Sequence, residues 1–112
     1  MTDSPNPMPQ AYLVITSWPD LEAAKIQAQG WVEKKLAASV NILPPMDSIY
    51  TWKDELRSGR EHKMFIKTTD ARLAALETEI KSAHPYAVAE IICFKIDSGE
   101  PDYLDWISAS TR

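Results

Sequence analysis

The chain has 112 residues, a formal net charge of -4, 45% hydrophobic and 25% charged residues, and one cysteine. That length is one domain with a core of its own. The acidic balance gives no general attraction to nucleic acid or anionic membranes, no apolar run is long enough to span a bilayer, and the lone Cys93 excludes an internal disulfide.

The first ten residues carry Pro5, Pro7 and Pro9 and neither a basic stretch nor an apolar one. They read as a disordered tail, not a signal peptide, ahead of a single domain over 11–112. Ala11 to Ser17 is short, apolar and β-branched, hence a buried strand. Pro19 and Asp20 open a helix whose inward stripe is Leu21, Ala24, Ala28, Val32 and Leu36; Trp31 lies beside that stripe without a firm place. Ser39 to Leu43 is a second strand, interrupted by Pro44-Pro45. A long hairpin follows: Asp47 to Leu56, a turn at Ser58-Gly59, and a return over Glu61 to Thr69. Ala71 to Ser82 forms a second helix stopped by His84-Pro85. Ala87 to Ile96 is the last strand, and Pro101 starts a short helix bearing Tyr103, Leu104, Trp106 and Ile107.

The order β-α-β-β-α-β predicts an α+β, ferredoxin-like split βαβ sandwich, with both helices on one face of an antiparallel sheet. The other face should then be polar. It is not: Ile92, Phe94 and Ile96 oppose Ile91 and Cys93, Tyr12 and Val14 oppose Leu13 and Ile15, and Tyr50 and Trp52 oppose Ile49 and Thr51. A hairpin of about ten residues per strand reaches roughly 33 Å, against a radius of gyration near 13 Å for a domain of this length, so part of it overhangs. Apolar residues on two faces and an aromatic overhang imply self-association. The competing reading is that the C-terminal helix alone covers the second face.

Five stretches, in order, carry a family likeness: KLAASVNILP (Lys35 to Pro44), SIYTW (Ser48 to Trp52), E-x-x-M-F-I-K-T-T (Glu61 to Thr69), HPY-x-x-x-E-I-I (His84 to Ile92) and YLDWI (Tyr103 to Ile107). The sequence resembles the CutA divalent-cation tolerance proteins from Tyr12 onward. The resemblance implies a homotrimer with PII-like packing of ferredoxin-like protomers, and a role in tolerance of copper and other divalent cations by binding of cations or as a signalling or scaffold trimer, and not by catalysis.

Candidate sites follow. His84 is the expected metal ligand, but the softer partners that some relatives carry are replaced by Thr16, Ala83 and Ser39, leaving one imidazole; a lone His before Pro is more often a hydrogen-bonded helix stop. Glu61 and Glu90, with Lys67 as counter-charge and Tyr50 and Trp52 as walls, are expected to face a cleft between protomers, binding a cation or small polar ligand; Ala89 stands where relatives usually have Pro. The competing readings are interface salt bridges for the carboxylates and interface anchoring for the aromatics. Cys93 reads as a small buried hydrophobe, His62 as solvent-facing, and Tyr103 and Trp106 as pins for the terminal helix. No cofactor is required; Cu(II) or another divalent cation is the candidate ligand. Other users of this strand order do not fit. RNA-binding domains need an aromatic and glycine-bearing strand where EHKMFIKTT has one aromatic, and copper chaperones need C-x-x-C. The alternative function is a PII-like sensor of a small anionic metabolite between protomers. The expected location is the cytoplasm and the expected partner is the chain itself, with a small ligand or a further protein left open.

Overall fold

The computed structural model describes residues 9–112; the first eight residues of the expected tail over 1–10 lie outside them, while Gln10 is tied down, its Nε2 donating to the Ile96 carbonyl at 2.9 Å and its carbonyl accepting from the Asp70 amide. The elements are β1 (Ala11–Trp18), α1 (Leu21–Glu33), β2 (Ser39–Ile42), β3 (Met46–Trp52), β4 (Glu55–Thr69), α2 (Asp70–Ala83), β5 (Ile92–Lys95) and α3 (Pro101–Ser110). This is a mixed α+β fold: one antiparallel sheet in the order β2-β4-β1-β5, with β3 added to the other half of β4, and three helices.

β4 organises the sheet. Its C-terminal half pairs with β1, from Ala11↔Thr69 to Trp18↔His62, and with β2. Its N-terminal half pairs with β3 from Met46↔Glu61 to Trp52↔Glu55. The hairpin therefore turns at Lys53-Asp54 and not at Ser58-Gly59. Both turn residues have positive φ, 52° and 63°, the pair of left-handed conformations that matches the strand twist in a two-residue hairpin. Asp tolerates that region; Lys53 has no such licence, so the sequence signal was weak. Gly59 lies within β4 opposite Ser48.

The core lies between the sheet and α1 and α2. Val14, Trp18, Met64 and Ile66 point from the strands toward Ala24, Ala28, Trp31, Leu76 and Ile80. The buried face of α1 is thus Ala24, Ala28 and Trp31, spaced i, i+4, i+7. Leu21 and Val32, expected in the stripe, are exposed. Trp31 is the anchor, its ring edge-on to Trp18 at 5.9 Å. Leu36 is buried, but past the helix: the chain leaves α1 with Lys35 at φ 61°, the Lys35 amide donating to the Val32 carbonyl and the Leu36 amide to that of Trp31. This is a Schellman ending with lysine in the position that glycine favours.

Readings in the second half of the chain change. β5 begins at Ile92, not Ala87, so 84–91 is a loop and Glu90 belongs to it. His62 is buried, its Nδ1–H donating to the Leu43 carbonyl at 2.9 Å, because its position in β4 faces the helices along with Met64 and Ile66. The terminal helix α3 opens on Glu100, which accepts from the Tyr103 amide, and packs Ile107 against Ala11 and Ala38. It covers only that end of the second face. Ile92 and Phe94 stay 45% and 48% exposed, and Ile49 and Leu56 on the hairpin 73% and 81%. Tyr103 and Trp106 stack on each other at 5.5 Å with about half their surface open.

Candidate functional site

The loop 84–91 stands opposite the hairpin base, and between them lies a cleft of 880 Å³ lined by Tyr50, Trp52, Glu61, Lys63, Tyr86 and Glu90 among others. The walls are set by register. Glu61 falls where β3 ends its pairing, opposite Met46. Lys63 falls opposite Ser17, on the face turned away from the helices. Tyr50 and Trp52 project from β3, two residues apart and hence on one side of the ribbon.

The loop is clasped at both ends by one residue. The Ser17 carbonyl accepts from His84 Nε2 at 2.7 Å, and the Ser17 hydroxyl donates to Glu90 Oε1 at 2.6 Å. Ser17 is 1% exposed; its contact with His84 is buried, while that with Glu90 is partly open on the carboxylate side. Glu90 also receives Lys63 Nζ on both oxygens at 3.1 Å. About a third of each partner's side chain is open, so the ion pair itself contributes on the order of 1 kcal/mol or less.

His84 is engaged completely. Nε2 faces a carbonyl and so carries the hydrogen; Nδ1 accepts from the Tyr86 amide at 3.1 Å. The ring is 9% exposed and lies between Trp18 at 4.4 Å and Tyr86 at 4.9 Å. Neither nitrogen is open to a metal in this arrangement. Among the described residues no group of three His, Cys, Asp or Glu side chains is gathered to hold one.

Tyr86 leads out of this cluster into the cleft, its hydroxyl donating to Glu61 Oε2 at 2.9 Å. Partial burial first, then the hydrogen bond and negative charge of Glu61, push that hydroxyl from 10.0 up to about 12. Cys93 faces the core side and its thiol donates to Glu77 at 3.4 Å; burial, then the Glu77 carboxylate, push it from 9.0 up to about 11.

Of the residues expected in a cleft between protomers, Glu61, Glu90, Tyr50 and Trp52 line this cleft within one chain, Trp52 six residues along β3 from the level of Glu61, and Lys67 does not line it. Lys67 donates to Asn41 Oδ1, four residues further along β4 than Lys63. Lys63, Tyr86 and Ser17 are the residues that sequence reasoning missed. The signal for Lys63 was there: it shares the face of Glu61 and lies two positions away, about 7 Å along the strand.

A profile of the family described as "CutA1 divalent ion tolerance protein" matches residues 12–110. The chain belongs to the CutA1 family. It is 38% identical over 99 residues to the divalent-cation tolerance protein CutA of Thermus thermophilus, covering 88% of this chain and 96% of that one. It is 44% identical over 89 residues to a CutA homolog of Xenopus laevis and 42% identical over 94 to CutA of Mus musculus. The match covers 80% and 84% of this chain but spans little more than half of those relatives, 59% and 53% of their lengths. Among solved structures, CutA1 from Oryza sativa superposes with a TM-score of 0.89 at 36% identity, covering 94% of this chain and 96% of that one. The Thermus thermophilus protein gives 0.87 at 37% identity, covering 91% and 99%. The family is one of tolerance proteins by name. Names within it include chloroplastic and periplasmic forms, and no helix among the described residues is long and apolar enough to cross a membrane.

Proposed function

We propose that this chain acts in divalent-ion tolerance as a homotrimer of ferredoxin-like protomers, assembled in the PII-like manner, by binding a small cation in the cleft rather than by catalysis. The observation that carries the reading is the bare second face of the sheet. α3 covers one end, and Leu13, Ile15, Phe65, Ile92 and Phe94 share the remainder by register. A single chain leaves Ile92 and Phe94 half in water; neighbouring copies would remove that surface at about 25 cal/mol per Å².

Binding has more support than catalysis because the titratable groups of the cleft are tied to one another: Glu61 to Tyr86, Lys63 to Glu90, and His84 through both nitrogens. A sensor of small anions has less support, since the two cations lining the cleft, Arg57 and Lys63, each already face a carboxylate, Glu55 and Glu90. The cytoplasm is the proposed compartment, in keeping with the unpaired thiol of Cys93; fractionation of the native host tests it. His84, the expected metal ligand, serves as the clasp of the loop. A divalent ion at Glu61 would need donors from a second protomer.

Sedimentation equilibrium tests the assembly: the expected species is three times the 12.6 kDa chain, and a stable folded monomer overturns it. Calorimetric titration with copper and zinc tests the site. Glu61→Gln should weaken binding while His84→Ala, if folded, should not; the reverse pattern would return the metal to His84.

A further inference from the structure

Glu61 stands apart from the other carboxylates that line the cleft. Glu90 is met by the Lys63 ammonium, and Asp47 faces Arg60 at 3.6 Å. Glu61 meets a neutral group: among the described residues its carboxylate has one partner, the Tyr86 hydroxyl, at 2.9 Å from Oε2. Lys63 lies two positions along the same strand, about 7 Å away, and its ammonium is spent on Glu90.

Tyr86 is not a freely turning surface side chain. Its amide donates to His84 Nδ1 at 3.1 Å, and its ring lies 4.9 Å from the His84 ring. His84 is itself buried and fixed, its Nε2–H on the Ser17 carbonyl. The base of the tyrosine therefore rests on a buried platform, while the side chain as a whole is 41% exposed. The platform sets the hydroxyl over Glu61 in advance, so little side-chain entropy is lost in making the contact. Breaking it takes a side-chain rotation into solvent and leaves the clasped backbone of the loop where it is.

An ionised carboxylate only accepts, so the phenol is the donor and its hydrogen points at Glu61. That hydrogen, the positive end of the O–H dipole, sits where a cation would approach the oxygen. Phenol and cation thus compete for Oε2. A ligand role for the phenol oxygen would require the opposite orientation, with the hydrogen turned away from the carboxylate.

We infer that Tyr86 is the gate of the cleft: its hydroxyl holds the place on Glu61 that a cation would take, so an occupied cleft and this hydrogen bond exclude each other. The inference rests on the cation-binding reading above and names what limits that binding.

Calorimetric titration of the full chain with zinc, at one protein concentration, compares wild type, Tyr86→Phe, Glu61→Gln and the double variant. Tyr86→Phe keeps the ring on His84 and removes the O–H, so zinc should bind about five- to ten-fold tighter, the competition of one partly exposed hydrogen bond. In the Glu61→Gln background the same change should alter affinity by less than about two-fold, because the carboxylate through which it acts is gone. Wild-type protein supplies a second measure that needs no comparison of stabilities. A phenol that leaves a carboxylate acceptor shifts its ultraviolet band, so a tyrosine difference spectrum should grow in step with zinc occupancy and be missing from Tyr86→Phe. Equal or weaker binding by Tyr86→Phe, an effect of the same size in the Glu61→Gln background, or saturation without the difference spectrum overturns the gate. Zinc bound through Glu61 with no response to Tyr86→Phe sinks the gate alone; zinc bound equally by wild type and Glu61→Gln, or by none of the four proteins, sinks the cation site and the gate with it.

Discussion

Ser17→Ala isolates the clasp. The hydroxyl donates at 2.6 Å to Glu90, and the same residue's carbonyl accepts from His84. The substitution removes the first contact and keeps the second, since the carbonyl belongs to the backbone. A hydrogen bond to a charged group contributes about 1.5–3 kcal/mol. Glu90 is not orphaned, because Lys63 still meets both oxygens, so the loss should fall at the lower end, about 1–2 kcal/mol. Ser17 is almost wholly buried and alanine fills nearly the same space, so no large cavity term is added. Urea unfolding at fixed protein concentration measures this, with the concentration held because assembly shifts apparent stability. Hydrogen exchange should report faster opening at Ala87 to Glu90 with little change at Tyr86, which His84 still holds. His84→Ala cuts the other end and removes a buried ring, at about 3 kcal/mol. If the loop is one clasped unit, the double variant should lose less than the sum. A Ser17→Ala protein within about 0.5 kcal/mol of wild type, with unchanged exchange in the loop, would show that the 2.6 Å contact does not hold Glu90.

Lys35→Gly should raise stability by about 1 kcal/mol in the same denaturation assay, because the residue sits at φ 61° where a side chain is strained. Gly59→Ala should leave stability unchanged or raise it by up to about 1 kcal/mol: an added Cβ meets nothing within 4 Å and φ is not positive, so only unfolded-state entropy changes. A loss there would restore the turn to Ser58-Gly59. For Tyr86, a folded-state value raised from 10.0 to about 12 means the neutral hydroxyl is favoured by folding. Its stabilisation is full below pH 10 and fades as pH climbs toward 12. An absorbance titration of phenolate should show one late-ionising tyrosine that Tyr86→Phe removes. Cys93, raised from 9.0 to about 11, follows the same sign over its own window, so alkylation of the native protein at pH 8 should be far slower than that of the urea-unfolded chain.

Element order and type were legible because hydrophobic period reports burial directly. β1, β4 and α2 each carry an unbroken pattern, and the tension between two apolar faces and two helices is visible in the alternation of Ile92 and Phe94 with Ile91 and Cys93. What was not legible depended on single backbone conformations. The turn at Lys53-Asp54 uses left-handed geometry that Lys does not advertise, while Ser58-Gly59 advertises a turn that the pairing of Ser48 with Gly59 overrides. The end of α1 misled for the same reason: Lys35 takes a glycine's role. Trp31 is a different failure. The expected stripe held Ala24 and Ala28 correctly, but trading Leu21 and Val32 for Trp31 takes only a modest rotation of α1, and the larger ring won the core.

The site shows where period two stops being enough. Lys63 and Lys67 face the same side of β4, so alternation alone could not choose between them; position along the strand does. Four residues are about 13 Å, and only Lys63 lies at the level of Ser17, whose hydroxyl fixes Glu90. Choosing correctly therefore required knowing that β5 starts at Ile92, which frees 84–91 to fold back as a loop and brings Glu90 to the open face. That loop in turn depends on His84 spending both nitrogens on backbone groups. The residue that looked most like a metal ligand is thus the one whose chemistry is used up in building the cleft, and the carboxylate beside it, Glu61, is met by the neutral Tyr86 hydroxyl and by no ion pair among the described residues.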